Sequence, residues 1–314
     1  MVATFGTGIT SFALEFPVGR KNLERVLTKI DQLKIPEENG RVIEYVVAHG
    51  IGGFDLDHPE ENGTFELAKH IGEQTRARGY HVIIVGFHAP GSPHMLSKKR
   101  REVRHSVRRT KTIIDIANHA GALSVNGPVH ITHGEKNGRP AIYLVDPLTE
   151  IAEYAEAANM PVNVELIRGL ETYALNSLTT AVPILRRVKN TYLKIHYDVA
   201  HAAIHERDSP ADAIERAYDS ELLGHVHLGE VDRAPFSRQY RGRIQENLRP
   251  IISRLSKLGY KEKATWEGFH FNLWGAVGRE DKIEVWSYTK QTKDELASRE
   301  ARESIDILKE AYFS

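Results

Sequence analysis

Leu193-Lys-Ile-His-Tyr-Asp198-Val-Ala-His201 and, after a helix-like run, His225-Val-His227-Leu-Gly-Glu230-Val-Asp-Arg233 are the two segments from which the architecture can be inferred. Each polar group follows a short β-type apolar run, Tyr192-Leu193-Lys194-Ile195 in one case and Leu222-Leu223-Gly224-His225-Val226 in the other. In an α/β barrel the active site opens where strands end. Aspartate and neutral histidine are hard-to-borderline ligands that suit Mg²⁺, Mn²⁺ or Co²⁺. Two consecutive strands that deliver Asp198 and His227 to one rim therefore point to a metal centre.

Upstream, strand-like and helix-like segments alternate. Thr4 to Leu14 reads as a first strand, and Leu23, Val26, Leu27, Ile30 and Leu33 fall on one face of a helix. Arg41 to His49 reads as a second helix and Gly53 to Pro59 as a short strand stopped by proline. His81 to Phe87 is the clearest strand and ends at His88; Ala122 to His130 reads as the fourth; Pro161 to Ile167 is the fifth and carries Glu165. Between these lie helical runs at 64–78, 97–117 and 148–158. The run from 97 to 111 is strongly basic, and the reading favoured here seats it through Val103, Val107, Ile113, Ile114 and Ala117 with its cationic side chains in water.

Downstream, Thr172 to Val188 reads as helix five, with Pro183 starting a fresh segment. Helix seven runs from Ile244 to Leu258, strand eight is Lys263 to Glu267, and Thr292 to Tyr312 is the closing helix. Strands alternating with helices of ten or more residues indicate parallel βαβ units. Eight such pairs with no Pro/Ser-rich linker predict an α/β protein, a single (β/α)₈ TIM barrel spanning residues 1–314.

Composition narrows the chemistry. Lys plus Arg equals Asp plus Glu at 42 each, which gives no electrostatic footprint for nucleic acid or an anionic membrane. Cysteine is absent, so disulfides, zinc-thiolate centres and cysteine nucleophiles are excluded and the ligand inventory is His, Asp and Glu. Neither a secretory leader nor a run of about eighteen apolar residues is present, so a cytoplasmic location is expected.

Four groups stand at four successive strand ends: Glu165, Asp198, His227 and Glu267. Three carboxylates and one imidazole repel one another when ionised, and a divalent cation would offset most of that repulsion. An ion held on an open face polarises a ketone and its neighbouring hydroxyl and stabilises the enediolate left by proton abstraction. Glu165 and Glu267, on non-adjacent strands, could stand on opposite faces of the carbon, one removing the proton and the other returning it.

The chain resembles the xylose-isomerase-like barrels, and within them the D-tagatose/D-psicose 3-epimerase family of ketose 3-epimerases. The resemblance rests on Val164-Glu165-Leu-Ile-Arg168-Gly-Leu-Glu171-Thr-Tyr-Ala-Leu-Asn176, on Asp198-Val-Ala-His201, on His225 to Arg233, on Trp266-Glu267-Gly-Phe269 and on Val277 to Trp286. It implies metal ligation by Glu165, Asp198, His227 and Glu267, Mn²⁺ being favoured with Mg²⁺ or Co²⁺ acceptable. It also implies sugar contacts from Glu171, His201 and Arg233, and a homo-oligomer, for which Gly268 to Tyr288 offers a contact surface. His88 and His130, on the same rim, are read as further substrate-binding or acid/base groups.

Two loops depart from the family pattern. Arg233-Ala-Pro235-Phe236 is followed by Arg238, Arg241 and Arg243, and Glu267 is followed by Gly-Phe-His rather than proline. A larger or anionic sugar derivative, stacked on Phe236 and Trp274 and clamped by arginines, is the expectation from these changes. They also keep open a metal-dependent lyase of the inosose-dehydratase or C-glycoside-deglycosidase type, the latter with a small partner subunit. An endonuclease IV-type repair enzyme fits poorly, because Arg238 to Arg243 lacks the Asp and His its three-zinc site requires.

Overall fold

In the computed structural model the described residues are 4–8, 23–24, 27–28, 43–49, 54–86, 88, 91–131, 137–169, 172–202, 205–228 and 244–266. They contain parallel strands β1 (Thr4–Gly8), β2 (Ile43–His49), β3 (His81–Val85), β4 (Val125–Gly127), β5 (Val162–Glu165), β6 (Leu193–Asp198), β7 (Leu223–Leu228) and β8 (Lys263–Trp266). Each strand pairs with the next in chain order, and β8 pairs with β1 through Ala264 and Phe5, which closes the sheet. Helices α1 (Thr64–Ala77), α2 (Arg100–Ala120), α3 (Val145–Ala157), α4 (Leu178–Val188), α5 (Val199–Ala202), α6 (Pro210–Asp219) and α7 (Ile244–Lys257) join them. Leu23 and Leu27, at helical positions after β1, are fully buried. The α/β alternation is thus as expected, while the expected closing helix, Thr292 to Tyr312, and the Gly268 to Tyr288 surface lie outside the described residues.

The strands sort their side chains with a period of two. Val82, Ile84, Val125, Val162, Val164, Ile195 and Val226 join the helix-packed hydrophobic core. The alternate positions are largely polar and equally buried: Asn126, Asn163, Glu165, His196, Asp198, His225, His227 and Thr265. A strand whose helix-facing side is apolar is held by that side, which leaves the other free to carry chemistry. The basic segment follows the same logic on a helix. In α2, Val107, Ile113, Ile114 and Ala117 are buried, whereas Arg101, Arg104 and Arg108 are exposed.

Three local expectations are corrected. Residues 43–49 form β2 and not a helix. Ile43-Glu-Tyr-Val-Val-Ala-His49 is short and rich in β-branched and aromatic residues, and so short an apolar run is not separated from a helix segment by periodicity alone. The supposed strand at Gly53 to Pro59 is, over its described residues 54–59, a sequence of turns. Asp55 Oδ1 accepts the backbone N–H groups of Asp57 and His58, and its Oδ2 accepts Asn62 Nδ2, so local side-chain bonds replace a ladder there. Finally, Pro183 lies inside one continuous helix, α4, which starts at Leu178 behind a capping box formed by Ser177 and Thr180. Among the described residues no helix is long and apolar enough to cross a membrane.

Candidate metal centre

The end of β5, the end of β6 and the distal half of β7 bring Glu165, Asp198 and His227 together. One ligand-capable atom from each lies within 4.8 Å of the other two. All three are buried, with Asp198 and His227 directly opposite each other in the β6–β7 register. His227 Nδ1 stands 3.5 Å from Asp198 Oδ2. Two carboxylates desolvated this fully are costly unless positive charge or several donors face them. Two hard oxygen donors and one borderline nitrogen fit Mg²⁺, Mn²⁺ or Co²⁺. Glu267, the expected fourth ligand, lies outside the described residues, as do Glu171 and Arg233.

His201 is held over this group by the turn that follows β6. Asp198 Oδ1 accepts the His201 backbone N–H at 2.9 Å, so the aspartate caps α5 while its other oxygen faces His227. His201 Nδ1 accepts the Arg168 backbone N–H at 3.3 Å, which fixes the neutral tautomer with hydrogen on Nε2. That Nε2 points to Glu165 Oε1 at 3.7 Å and Asp198 Oδ2 at 3.8 Å. The β5–α4 loop is pinned to the β6–α6 loop a second time, where Gly169 N–H donates to His205 Nε2 and Leu178 N–H donates to Glu206 Oε1.

The other two expected histidines are placed differently. His88 is fully buried, its Nε2 3.0 Å from the Val129 carbonyl and close to the hydroxyls of Ser106 and Thr110 on α2. Burial, helped by the positive charge of Arg109, lowers its pKa from 6.5 to about 4, so it is a neutral hydrogen-bonding group at ordinary pH. His130 is also fully buried, and its Nε2 lies 3.5 Å from the Ala174 carbonyl. Neither belongs to the cation-holding groups formed by the described residues.

Residue-by-residue reading gave no role to His196 and His225. Both occupy the same face as the ligand two positions later, His196 before Asp198 and His225 before His227, so the period of two was the available signal. The His196 ring meets that of His227 edge-on with centroids 3.9 Å apart. His225 pairs with the Thr265 hydroxyl at 2.8 Å. Burial, with the neighbouring imidazoles adding to it, holds both pKa values well below the usual histidine range.

Comparison with known proteins agrees with this architecture. The sequence profile of a family described as xylose isomerase-like TIM barrels matches residues 43–310. A D-psicose 3-epimerase of Ruminiclostridium cellulolyticum is 27% identical over 239 residues, covering 74% of this chain and 78% of that protein. A D-psicose 3-epimerase of Enterocloster bolteae is 26% identical over 257 residues, covering 79% and 81%. The crystal structure of D-psicose 3-epimerase with D-tagatose from Clostridium cellulolyticum H10 superposes with a TM-score of 0.75 at 18% identity, over 98% of this chain and 99% of that one, which speaks for the fold.

Proposed function

The chain belongs to the xylose isomerase-like TIM barrel family, and from that premise we propose that it is a divalent-cation-dependent epimerase of a keto-sugar or sugar derivative. The observation that carries this reading is the convergence of Glu165, Asp198 and His227 from three consecutive strands. We take the whole chain, 1–314, as one (β/α)₈ domain, with Glu267 as the fourth ligand and Mn²⁺ as the favoured ion. A cation bound there supplies positive charge beside a ketose carbonyl and its neighbouring hydroxyl, which acidifies the adjacent C–H bond.

The protein's own groups then divide the work. Glu165 removes the proton from one face of the carbon and Glu267 returns one to the other, so configuration inverts. His201, with hydrogen fixed on Nε2, orients the Glu165 and Asp198 carboxylates and offers a donor to a substrate hydroxyl. Glu171 contacts the sugar at its carbonyl end, and Arg233 offsets developing oxyanion charge. Named relatives are epimerases, and that favours proton return over the elimination of a lyase.

The test is incubation of the Mn²⁺-supplemented protein with D-psicose, D-tagatose and D-fructose in D₂O. The expected product is the C3 epimer carrying one deuterium at C3. Unchanged ketoses with no exchange, together with release of water or aglycone from a 3-keto-glycoside, would replace this reading with the lyase. A homo-oligomer is part of the proposal, to be read from light scattering of the same preparation.

A further inference from the structure

A second group of ligand-capable atoms lies one layer deeper in the barrel. Nitrogens of His196, His225 and His227 stand within 4.8 Å of one another. His196 and His225 sit opposite each other in the β6–β7 register, two residues before Asp198 and His227, so they are about 6–7 Å back along the strands from the carboxyl rim. Both rings are 0% exposed. Neither nitrogen of His196 has a hydrogen-bond partner among the described residues. His225 commits Nε2 to the Thr265 hydroxyl, which leaves Nδ1 likewise without a partner among them.

A buried imidazole with neither nitrogen satisfied is costly, and native interiors pair such groups with protein, water or an ion. Three neutral imidazoles converging on one point are a ligand set of a particular kind. Imidazole nitrogen suits Zn²⁺, Co²⁺ and Ni²⁺, whereas a carboxylate-rich set suits Mg²⁺ and Mn²⁺. The Thr265 bond to the far nitrogen of His225 is the kind of contact that fixes a ligating ring's orientation and tautomer. A tetrahedral ion with Zn–N bonds of about 2.0–2.1 Å needs ligand atoms about 3.3 Å apart, within reach of small side-chain rotations from the observed spacing.

We propose that His196, His225 and His227 form a second, all-nitrogen cation position that takes Zn²⁺ or Co²⁺ in preference to Mn²⁺ or Mg²⁺ and competes with the carboxylate position for His227. The epimerase reading is not needed for this site, since its three rings and their burial define it. A consequence is metal selectivity: a borderline ion drawn to the deeper position withdraws His227 from Glu165 and Asp198.

The experiment uses the full chain stripped of metal and titrated separately with Co²⁺, Zn²⁺ and Mn²⁺. Electronic absorption is recorded for Co²⁺, and heats of binding are recorded for Zn²⁺ and Mn²⁺. Wild type is expected to give the intense visible bands of four-coordinate Co²⁺. His196→Asn and His196→Leu are expected to lose most of that intensity and to bind Zn²⁺ at least about 30-fold more weakly, with Mn²⁺ affinity changed less than about threefold. Asp198→Asn is expected to do the reverse, weakening Mn²⁺ and sparing the Co²⁺ bands. Co²⁺ spectra and Zn²⁺ affinities unchanged in His196→Asn would overturn the proposal, as would equal weakening of Zn²⁺ and Mn²⁺ by Asp198→Asn. Thermal melts of the metal-free variants identify a fold defect in His196→Leu, and His196→Asn, smaller and polar, then decides. Failure of Mn²⁺ to depend on Asp198 would instead count against the epimerase site, so the two ideas fail separately.

Discussion

Two sectors of the barrel rim carry polar residues at strand ends and do different things with them. On β5 to β7, Glu165, Asp198 and His227 turn ligand-capable atoms toward one another. On β3 and β4, His88 and His130 direct a nitrogen to the backbone carbonyls of Val129 and Ala174. In the first sector the charged and ligand-capable groups face one another, and in the second each histidine turns one nitrogen to a main-chain carbonyl. Position at a strand end is therefore not what makes a residue a candidate. What matters is what the side chain faces.

The sharpest way to break this contrast is Glu165→Gln. It preserves shape and removes the proposed base, and turnover is expected to fall at least about 10³-fold with the melting curve little changed. Comparable activity in the variant would move Glu165 into the structural sector. Next comes Asp198→Asn, which keeps an acceptor for the His201 N–H but removes a charged ligand oxygen. Its Mn²⁺ affinity, by calorimetric titration, should drop by about 100-fold or more.

The corresponding change in the other sector, His88→Leu, should act on stability. Loss of the bonds around Val129, Ser106 and Thr110 is expected to cost about 2–3 kcal/mol at pH 8, while specific activity of the folded fraction stays within about threefold. It should also alter pH dependence. With a folded pKa of about 4 against 6.5, His88 stays neutral in the native state while the unfolded chain takes up a proton. Stability is then full above pH 6.5, falls as pH drops towards 4 by up to about 3 kcal/mol, and levels below that. The variant should lose that share of the slope in denaturant titrations at pH 8 and pH 5. An undiminished slope would show that His88 is not the buried neutral group described.

The smallest effect belongs to His201→Gln. Its ring orients the carboxylates from 3.7–3.8 Å, beyond direct hydrogen bonding, and its backbone cap survives substitution. A loss of about tenfold in kcat with Mn²⁺ affinity nearly unchanged is expected, because it positions and does not ligate.

Much of this was legible in the sequence, for reasons tied to particular residues. β3, β5, β6 and β7 announce themselves through short apolar runs, and Glu165, Asp198 and His227 follow from asking what stands where those runs end. β2 is hard to read because Ile43 to His49 is a short apolar run without clear alternation, which periodicity does not separate from a helix segment. The roles of His88 and His130 could not be read, since their partners, Val129, Thr110 and Ala174, come from packing and not from spacing. His196 and His225 were visible in the alternation, but only the closed sheet shows that their rings meet His227.

The central claim is that Glu165, Asp198 and His227 share one cation. Crystals of the Mn²⁺-loaded protein, with anomalous scattering recorded at the manganese edge, test it most directly. The account predicts an anomalous peak within coordinating distance of all three side chains, and lost in Asp198→Asn. A peak elsewhere, with these side chains bonded only to protein or water, would contradict it.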